Sequence, residues 1–272
     1  MRFKTLKERM EYFRSLTDYK LIPNSYIIAM ADGKNFSKKV KKIFSLPFDK
    51  DFIKMMDECA IYACKNIQGC KLAFVQSDEI SFVITDFDTP ETDSFFGFRL
   101  CKMQSIISSL ITSKFQQLFI KYLYDNDLQD EIDMFSEKYL FQFDCKCWSV
   151  PEYNDVFGWI KYRQNDCIRN SKQQASQTYC SYKELLRKNT DEQIAFLKEK
   201  TNIDWNTKYR NGEKFGRLIY KETTVNVDND GGSFIRNKWI AHELEPLTRE
   251  IFDELDIVPF REELLNGEED DM

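Results

Sequence analysis

The sequence predicts an α+β fold, because apolar runs of strand length alternate with longer segments whose apolar residues recur at helical spacing. Over the first 150 residues these segments follow the order strand, helix, strand, strand, helix, strand. The chain has 272 residues, of which 42% are hydrophobic and 15% aromatic, so it can bury a sizeable core. We therefore expect one large domain, or one domain with an extension.

The individual elements follow from local patterns. A short N-terminal helix is predicted before residue 17, and apolar runs bounded by turn residues predict the strands. The longer segments repeat apolar residues every three or four positions, as an amphipathic helix does. The predicted strands are residues 26–31, 71–75, 80–84 and 143–150, and the two long helices are residues 51–67 and 96–124.

This order of elements is typical of the ferredoxin-like βαββαβ arrangement, which polymerase palms also have. In its usual strand order, 4-1-3-2, the first strand lies antiparallel beside the third. We expect residues 1–150 to form this palm-type catalytic domain. Residues 151–272 are predicted to form a mainly helical and irregular extension, with a flexible turn at residues 228–232 and a disordered acidic tail from about residue 264.

Two acidic turns are the main functional candidates. Asp32 and Gly33 follow the first predicted strand, and Asp78 and Glu79 precede the third. Either turn alone would more often be a structural feature, but the predicted strand order brings them together. Clustered carboxylates repel one another unless a cation neutralises them, and Mg²⁺ prefers such hard oxygen ligands. The sequence therefore predicts a magnesium site here.

Other kinds of chemistry have less support. The eight cysteines include no Cys-x-x-Cys pair, and His242 is the single histidine, so neither a zinc site nor a histidine-based triad is indicated. Residues 243–272 carry 12 acidic and 2 basic side chains, whereas the rest of the chain carries 37 basic and 33 acidic ones, so net charge neither supports nor excludes an RNA partner. Without an apolar signal or spanning segment, we expect a cytoplasmic protein with no membrane contact.

Several short motifs occur in the order found in one family. They are Asp32-Gly33-Lys34-Asn35-Phe36, Pro47-Phe48-Asp49, the six residues Gln76 to Ser81, Arg99 with Lys102, and the run from Tyr162 to Ser171. With these motifs the chain resembles the tRNA-histidine guanylyltransferase family. It departs from the family at Met30, Lys34, Ser37 and Tyr162, and Cys167-Ile-Arg-Asn-Ser171 replaces the motif of enzymes dedicated to tRNA-histidine. The resemblance is therefore to the guanylyltransferase-like branch of 3′-to-5′ polymerases.

The resemblance implies a mechanism and roles for particular residues. Asp32 and Asp78 would hold two Mg²⁺ ions with the Gly33 carbonyl, and Glu79 would be a further acidic ligand or neighbour. The enzyme would activate the 5′ end of a tRNA with ATP or GTP and then add a nucleotide opposite its template base. Residues implied to bind the nucleotide or triphosphate are Gly33, Lys34, Asn35, Phe36, Asp49, Ser77, Arg99 and Lys102, and those implied to bind RNA are Arg163, Gln164, Arg169 and Asn170.

The resemblance also implies a homotetramer that acts on several 5′-truncated tRNAs with nucleoside triphosphates as substrates. Alternatives stay open from the residues themselves. Arg99 and Lys102 also fit a solvated helix face, and the charged residues between 163 and 170 also fit salt bridges within one helix. A nucleotide cyclase, another palm nucleotidyltransferase and a catalytically silent tRNA-binding protein are the alternative functions.

Overall fold

The computed structural model describes residues 3–89, 91–128, 130, 132–133, 136–227 and 233–260, without the side chains of residues 225–227 and 233–234. Its centre is an antiparallel sheet of six strands. The strands are β1 (Tyr26–Gly33), β2 (Cys70–Gln76), β3 (Glu79–Ile84), β4 (Phe143–Val150), β5 (Arg217–Val227) and β6 (Ser233–Glu243). Their order across the sheet is β4-β1-β3-β2-β5-β6, so the first four strands have the predicted order 4-1-3-2.

The helices lie on both faces of this sheet. They are α1 (Leu6–Ser15), α2 (Phe36–Val40), α3 (Lys50–Asn66), α4 (Leu100–Asp125), α5 (Tyr153–Tyr179), α6 (Tyr182–Leu185), α7 (Thr190–Thr201), α8 (Trp205–Lys208), α9 (Asn211–Phe215) and α10 (Arg249–Glu254). Two short 3₁₀ turns occupy Phe95–Phe98 and Glu137–Tyr139. Helices α3 and α4 pack on one face, and α5 covers the other.

Strand β1 is buried on both faces because alternate side chains enter two different cores. Ile27 and Ala29 pack with α3 and α4, whereas Tyr26 and Ile28 pack with α5. This explains why β1 reads as a continuous apolar run rather than an alternating one. Within the described segments, no helix is both long enough and apolar enough to cross a membrane.

The register at the end of β1 sets up the site. Asp32 lies opposite Glu79 of β3 on one side and opposite Asp144 of β4 on the other. The Gly33 amide donates a hydrogen bond to the carbonyl oxygen of Asp78 across 3.2 Å. The two acidic turns therefore converge as the sequence predicted, because β1 ends where β3 begins.

The C-terminal part differs from the sequence prediction. The expectation of a mainly helical and irregular extension did not include β5 and β6, which continue the sheet beyond β2. Much of β5 is polar, as in Lys221-Glu-Thr-Thr224, so its local pattern does not indicate a strand, and pairing with β2 and β6 supplies the stability instead.

Helices α6 and α7 are separate because Asn189 forms a second N-cap, through hydrogen bonds from the amides of Asp191 and Glu192. The turn expected at residues 228–232 and the tail expected from about residue 264 lie outside the described residues.

Candidate functional site

A cavity of about 460 Å³ opens at the edge of the sheet where β1 ends. Its walls come from the two acidic turns, the region of α2 and α3, the C-terminal part of α5 and the start of β5. Its lining includes Asp32, Phe36, Lys41, Pro47, Phe48, Asp49, Phe52, Ile53, Ser77, Asp78, Glu79, Arg163, Asp166, Asn170, Gln173, Gln174, Gln177, Gly212, Glu213 and Arg217.

Gly33 allows the two acidic turns to pack closely. A Cβ atom at this position would lie 2.4 Å from Cδ2 of Phe36 and 2.8 Å from Oδ2 of Asp78. Both distances are shorter than a van der Waals contact, and the Phe36 ring is fixed in the core with 1% of its surface exposed. The glycine is thus required by the close approach of the Asp78 carboxylate.

Burial and nearby negative charges make the carboxylates of Asp32 and Asp78 costly to ionise. Burial, and then the negative charge of Asp144, raise the pKa of Asp32 above its ordinary value. Burial, and then the charge of Asp32, raise the pKa of Asp78 to about 6. The Ser77 hydroxyl donates to Oδ1 of Asp78 across 3.0 Å and offsets part of this cost. The fold therefore holds two carboxylates where a cation would stabilise both.

The donor set fits Mg²⁺ better than a softer metal. Asp32 and Asp78 offer carboxylate oxygens, and Gly33 offers close access to the backbone. Among the residues that the structure describes, no group of three or more histidine, cysteine, aspartate or glutamate side chains forms a complete metal site. Mg²⁺ is commonly bound by one or two carboxylates together with water and substrate phosphates, which is the arrangement that two aspartates permit.

The carboxylate of Glu79 is paired with an arginine of α5. Arg163 donates to both of its oxygens, and Gln76 lies 3.4 Å from Oε1. Burial raises the pKa of Glu79, while the hydrogen bonds and charge of Arg163 act in the opposite direction. Of the two expected roles, an acidic ligand or a neighbour of the ligands, the contacts favour the neighbour, because an arginine already neutralises the charge of Glu79.

The residues of α5 that were expected to bind RNA have different environments. Arg163 bonds to Glu79 and Asp166, and Asp166 also bonds to Arg169 and, across 3.4 Å, to Asn170. These contacts agree with the alternative interpretation, in which the charged residues of α5 form salt bridges with one another. Glu79 of β3 is the one partner outside the helix. Arg169 and Asn170 remain exposed to solvent.

Gln164 contradicts its expected role in RNA binding. Its side chain is 0% exposed. Its amide nitrogen donates to the carbonyl oxygens of Phe215 and Glu245 across 3.3 and 2.9 Å, and its oxygen accepts from the Leu247 amide across 2.7 Å. Gln164 thus joins α5 to the C-terminal segments and leaves no polar atom for RNA.

The residues after Gly33 divide between surface and core. Lys34 and Asn35 are exposed, and Asn35 has the left-handed conformation with φ of 58°. Phe36 is buried against the rings of Phe115, Phe141 and Phe143, with centroid separations of 5.1, 4.9 and 4.7 Å. Lys34 and Asn35 can therefore approach a ligand from solvent, whereas Phe36 mainly supports the turn.

Asp49 lines the cavity, but its carboxylate already has structural partners. Oδ1 accepts hydrogen bonds from the amides of Asp51 and Phe52, and Oδ2 accepts one from Ser45 across 3.0 Å. These bonds begin helix α3 by satisfying its first amide groups. In the expected contact with a nucleotide, Asp49 would have to use a carboxylate oxygen that already accepts a hydrogen bond from this segment.

Arg99 and Lys102 were expected to clamp phosphates, and within one chain the structure places them far from Asp32. Strand β3 runs away from Asp32, so α4 begins at the opposite end of the sheet. Phe143, which pairs with Gly33, donates to Thr112, 13 residues along α4 from Arg99. At 1.5 Å per residue this is roughly 20 Å. Arg99 instead bonds to Asp18, and Lys102 lies over the Phe96 ring.

The structure adds residues that the sequence analysis did not identify. Asp144 faces Asp32 across the β1–β4 pair. Arg217 is 4% exposed and lines the cavity, with Nε bonded to Asp57 across 2.6 Å and Nη1 to the Gly212 carbonyl across 3.2 Å, while its buried Nη2 has no partner. An unpaired buried donor costs about 1–3 kcal/mol. Only the pairing of distant strands brings these groups to the site.

A stripe of amide side chains on α5 begins at Asn170, an expected RNA-binding residue, and its three glutamines were not identified from the sequence. Asn170, Gln173, Gln174 and Gln177 line the cavity. Their spacing of three, four and seven residues places them on one helical face. This spacing is visible in the sequence and could have identified the stripe, but nothing in the sequence shows that this face lies over a cavity.

The sequence of this chain is similar to one protein family and to several of its members. Residues 7–151, more than half of the chain, match the model of the family described as tRNAHis guanylyltransferase, Thg1. An uncharacterized protein of Acanthamoeba polyphaga mimivirus is 26% identical over 253 residues, which cover 88% of this chain and 84% of the viral protein. The tRNA(His) guanylyltransferase of Candida glabrata is 25% identical over 260 residues, which cover 92% and 97% of the two chains.

Solved structures show the same relationship over nearly the whole chain. A bacterial Thg1-like protein in complex with ATP has a TM-score of 0.77 and 26% identity, covering 94% of this chain and 100% of its own. A bacterial Thg1-like protein in complex with GTP has a TM-score of 0.69 and 25% identity, covering 95% and 98%. The family match spans the strands that carry both acidic turns, and the chain belongs to the tRNAHis guanylyltransferase (Thg1) family.

Proposed function

We propose that this protein adds nucleotides to the 5′ end of tRNA in the 3′-to-5′ direction, opposite a template base, after activating that end with ATP or GTP. Repair or editing of several 5′-truncated tRNAs is the cellular role that we infer. The observation that carries the proposal is the convergence of Asp32 and Asp78 at a cavity in a chain of this family. Residues 1–150 would be the palm-type catalytic domain, and the later residues would contribute to nucleotide and RNA binding.

Asp32, Asp78 and the Gly33 carbonyl are the groups that we propose to hold two Mg²⁺ ions. These ions would supply charge neutralisation for the triphosphate and activation of the attacking 3′-hydroxyl, which is how metal pairs act in phosphoryl transfer generally. The raised pKa of Asp78, caused by burial and Asp32, supports this assignment because a cation would relieve that cost.

The protein's own residues would do the positioning. Ser77 holds the Asp78 carboxylate from one side, and the Arg163–Glu79 pair removes one negative charge from the neighbourhood of Asp32. Lys41 lines the cavity and is exposed, so it can meet phosphate oxygens that enter from solvent. Lys34 stands on the adjacent turn for the same purpose.

A primer-extension assay tests the function. The protein is incubated with Mg²⁺, ATP, the other nucleoside triphosphates and a 5′-labelled tRNA that lacks its first nucleotide, and the product is sized on a gel. We expect a longer product, and no longer product with Asp32→Ala or Asp78→Ala. Two further reactions are run beside these, one with the Asp144→Ala variant and one with the wild-type protein in EDTA. Circular dichroism shows whether each variant is folded.

Three outcomes would contradict the proposal. Absence of extension across several tRNAs with folded protein would refute the polymerase activity. A cyclic nucleotide formed without RNA would identify a cyclase instead. Extension that persists in Asp32→Ala or Asp78→Ala would refute the assignment of the metal ligands. The proposed homotetramer and the cytoplasmic location are separate points, which sedimentation and localisation of a tagged chain would test.

A further inference from the structure

We propose that a ridge of lysines beside Asp32 and Asp78 binds the phosphate backbone of the RNA next to its 5′ end. The inference rests on the proposed function for one point only, namely that an RNA is the substrate. The lysine ridge consists of the five lysines that follow the first acidic turn, Lys34, Lys38, Lys39, Lys41 and Lys42.

The lysine ridge is a local excess of positive charge in a chain that is acidic overall. Residues 34–48 include five lysines and no aspartate or glutamate, whereas the whole chain has a net charge of -6. Within the described ranges, none of the five lysines forms an ion pair with a carboxylate. Lysine-rich segments of this kind are typical of surfaces that bind an extended polyanion.

Packing of the same segment holds these side chains at the surface. Phe36, Val40 and Phe44 are spaced four residues apart and all pack into the core, so they fix one face of the segment. The Phe44 amide donates to the Val40 carbonyl across 2.9 Å, which continues the helical path beyond the end of α2. Lys38 and Lys42 fall on the opposite face and are exposed.

Lys39 shows that the charges of the ridge act on one another. Its ammonium group donates to the carbonyl oxygen of Leu140 and lies 5.3 Å from the centre of the Phe141 ring. Burial, and then the positive charge of Lys34, lower the pKa of Lys39. An anion bound along the ridge would relieve this repulsion.

The ridge begins where the RNA end would react. Lys34 comes directly after the end of β1, and its amide donates to the Gln142 carbonyl across 2.9 Å, which holds it beside that strand end. Lys41 lines the cavity, whereas Lys38 and Lys42 lie outside its lining. The ridge therefore leads from the mouth of the cavity onto the open surface, a direction that an RNA chain can follow when its end is bound at the carboxylates.

The length of the ridge fits several consecutive phosphates. The helical path from Phe36 to Phe44 is eight residue steps long, which is roughly 12 Å at 1.5 Å per residue. Each strand of a nucleic-acid duplex carries one phosphate about every 3.4 Å along its axis, so this length matches about four phosphates. Contacts with phosphates position the RNA without reading its bases.

Binding of tRNA without nucleoside triphosphates tests the ridge, because no reaction follows. Fluorescence anisotropy of a 3′-labelled tRNA gives the Kd at a series of salt concentrations. For Lys38→Gln/Lys42→Gln we expect the slope of log Kd against log salt to fall by about 1.5 and the Kd at low salt to rise about tenfold or more, because two phosphate contacts are lost. Glutamine has nearly the helix propensity of lysine, so the fold should be unchanged, which circular dichroism checks.

Two further variants are matched controls. Lys38→Arg/Lys42→Arg keeps both charges and should keep the salt slope. Lys4→Gln/Lys7→Gln removes two exposed lysines near the start of the chain and should leave the slope unchanged. An unchanged slope in Lys38→Gln/Lys42→Gln would overturn the inference, and so would an equal loss in Lys4→Gln/Lys7→Gln, because net charge alone would then explain the effect.

Neutral linkages locate the contact on the RNA. A hairpin RNA with methylphosphonate linkages next to its 5′ end has no charge there, so the wild-type protein and Lys38→Gln/Lys42→Gln should bind it equally. The same linkages at the 3′ end should preserve the difference between the two proteins. A difference that persists when the 5′ linkages are neutral would overturn the proposed path, and so would ridge-dependent binding to phosphatidylserine vesicles without any to RNA.

Extension assays separate this inference from the proposed function. Because Lys38 and Lys42 lie outside the cavity lining, their replacement by glutamine should act mainly on KM for tRNA and much less on kcat. Ridge-dependent tRNA binding by a protein that never extends tRNA would refute the polymerase activity and support the ridge. Extension with the same KM and the same salt slope in the wild-type protein and the variant would do the reverse.

Discussion

Arg163 donates two hydrogen bonds to the carboxylate of Glu79, from Nε to Oε1 across 2.7 Å and from Nη2 to Oε2 across 2.5 Å. The side chains of both residues are 11% exposed, so the pair is largely shielded from water. It connects α5 to the first residue of β3, directly beside Asp32. Of the acidic residues in the turn, Asp78 therefore keeps an unneutralised carboxylate, whereas Glu79 does not.

Removal of Arg163 should destabilise the protein because the Glu79 carboxylate loses its positively charged partner. Arg163→Met leaves a mostly buried carboxylate unpaired, and we expect a loss of about 3 kcal/mol in the free energy of unfolding at neutral pH. The loss should shrink when Glu79→Gln is added. Urea unfolding of the two single variants and the double variant measures the coupling energy.

The exposed pair between Lys7 and Glu11 provides the matched control for that cycle. Its atoms are 3.9 Å apart, with side chains 82% and 54% exposed, so its coupling should be below about 0.5 kcal/mol. A coupling of that small size for Arg163 and Glu79 would show that the contact contributes little to stability.

Asp78 should make the metal-free protein less stable as the pH rises. Its pKa is about 6 in the fold, because of burial and Asp32, and its ordinary value is 3.8. Between these values the folded state binds more protons than the unfolded state, so stability falls with rising pH and stays lower above about pH 6. Asp78→Asn removes this cost and should raise stability at pH 7.5 by about 3 kcal/mol.

Thermal unfolding in EDTA from pH 4 to pH 8 checks this prediction. The advantage of Asp78→Asn should be present at pH 7.5 and should be lost near pH 4, where the wild-type carboxyl is already protonated in the fold. Addition of Mg²⁺ with a nucleoside triphosphate should then stabilise the wild-type protein more than the variant. An advantage of the variant that is independent of pH would rule out the ionisation of Asp78 as its cause.

Gly33→Ala should disrupt the site, whereas Gly158→Ala should not. The alanine methyl group at position 33 would overlap Phe36 and the Asp78 carboxylate. We expect a loss of stability of about 1–3 kcal/mol from this overpacking and a loss of tRNA extension. Gly158 lies in α5 with no atom within 4 Å of the added methyl group, so alanine should stabilise that helix by up to 1 kcal/mol. Chemical denaturation and the extension assay distinguish the two variants.

The sequence was sufficient for the parts of the fold that depend on local pattern. The apolar run of β1 and the helical spacing of α3 and α4 predicted those elements, and their order predicted that Asp32 and Asp78 converge. Strand β5 could not be predicted because its polar residues gain stability from pairing with the distant strand β2, and β6 joins the sheet only through β5. For the same reason the sequence did not show that Arg217 reaches the cavity.

Ion pairs explain the other differences between the sequence-based predictions and the structure. The charges of Glu79, Arg163 and Arg99 are evident in the sequence, but their partners are set by the three-dimensional structure. Arg163 comes from α5, 84 residues after Glu79, and Arg99 meets Asp18 at the far end of the sheet. A motif therefore located the site, but it did not show which of its charges remain available to a ligand.

Gln164 offers a direct comparison between a structural and an RNA-binding role. Gln164→Ala removes three hydrogen bonds and leaves two carbonyl oxygens and one amide without their partner, so we expect a loss of about 2–4 kcal/mol in the free energy of unfolding. The neighbouring Asn165 is exposed, and Asn165→Ala should change stability by less than about 0.5 kcal/mol. Urea unfolding measures both effects. Filter binding to tRNA, at a temperature where both variants are folded, should give equal affinities, because Gln164 presents no surface to RNA. Unchanged stability of Gln164→Ala together with weakened tRNA binding would instead support the RNA-binding role that its motif implied.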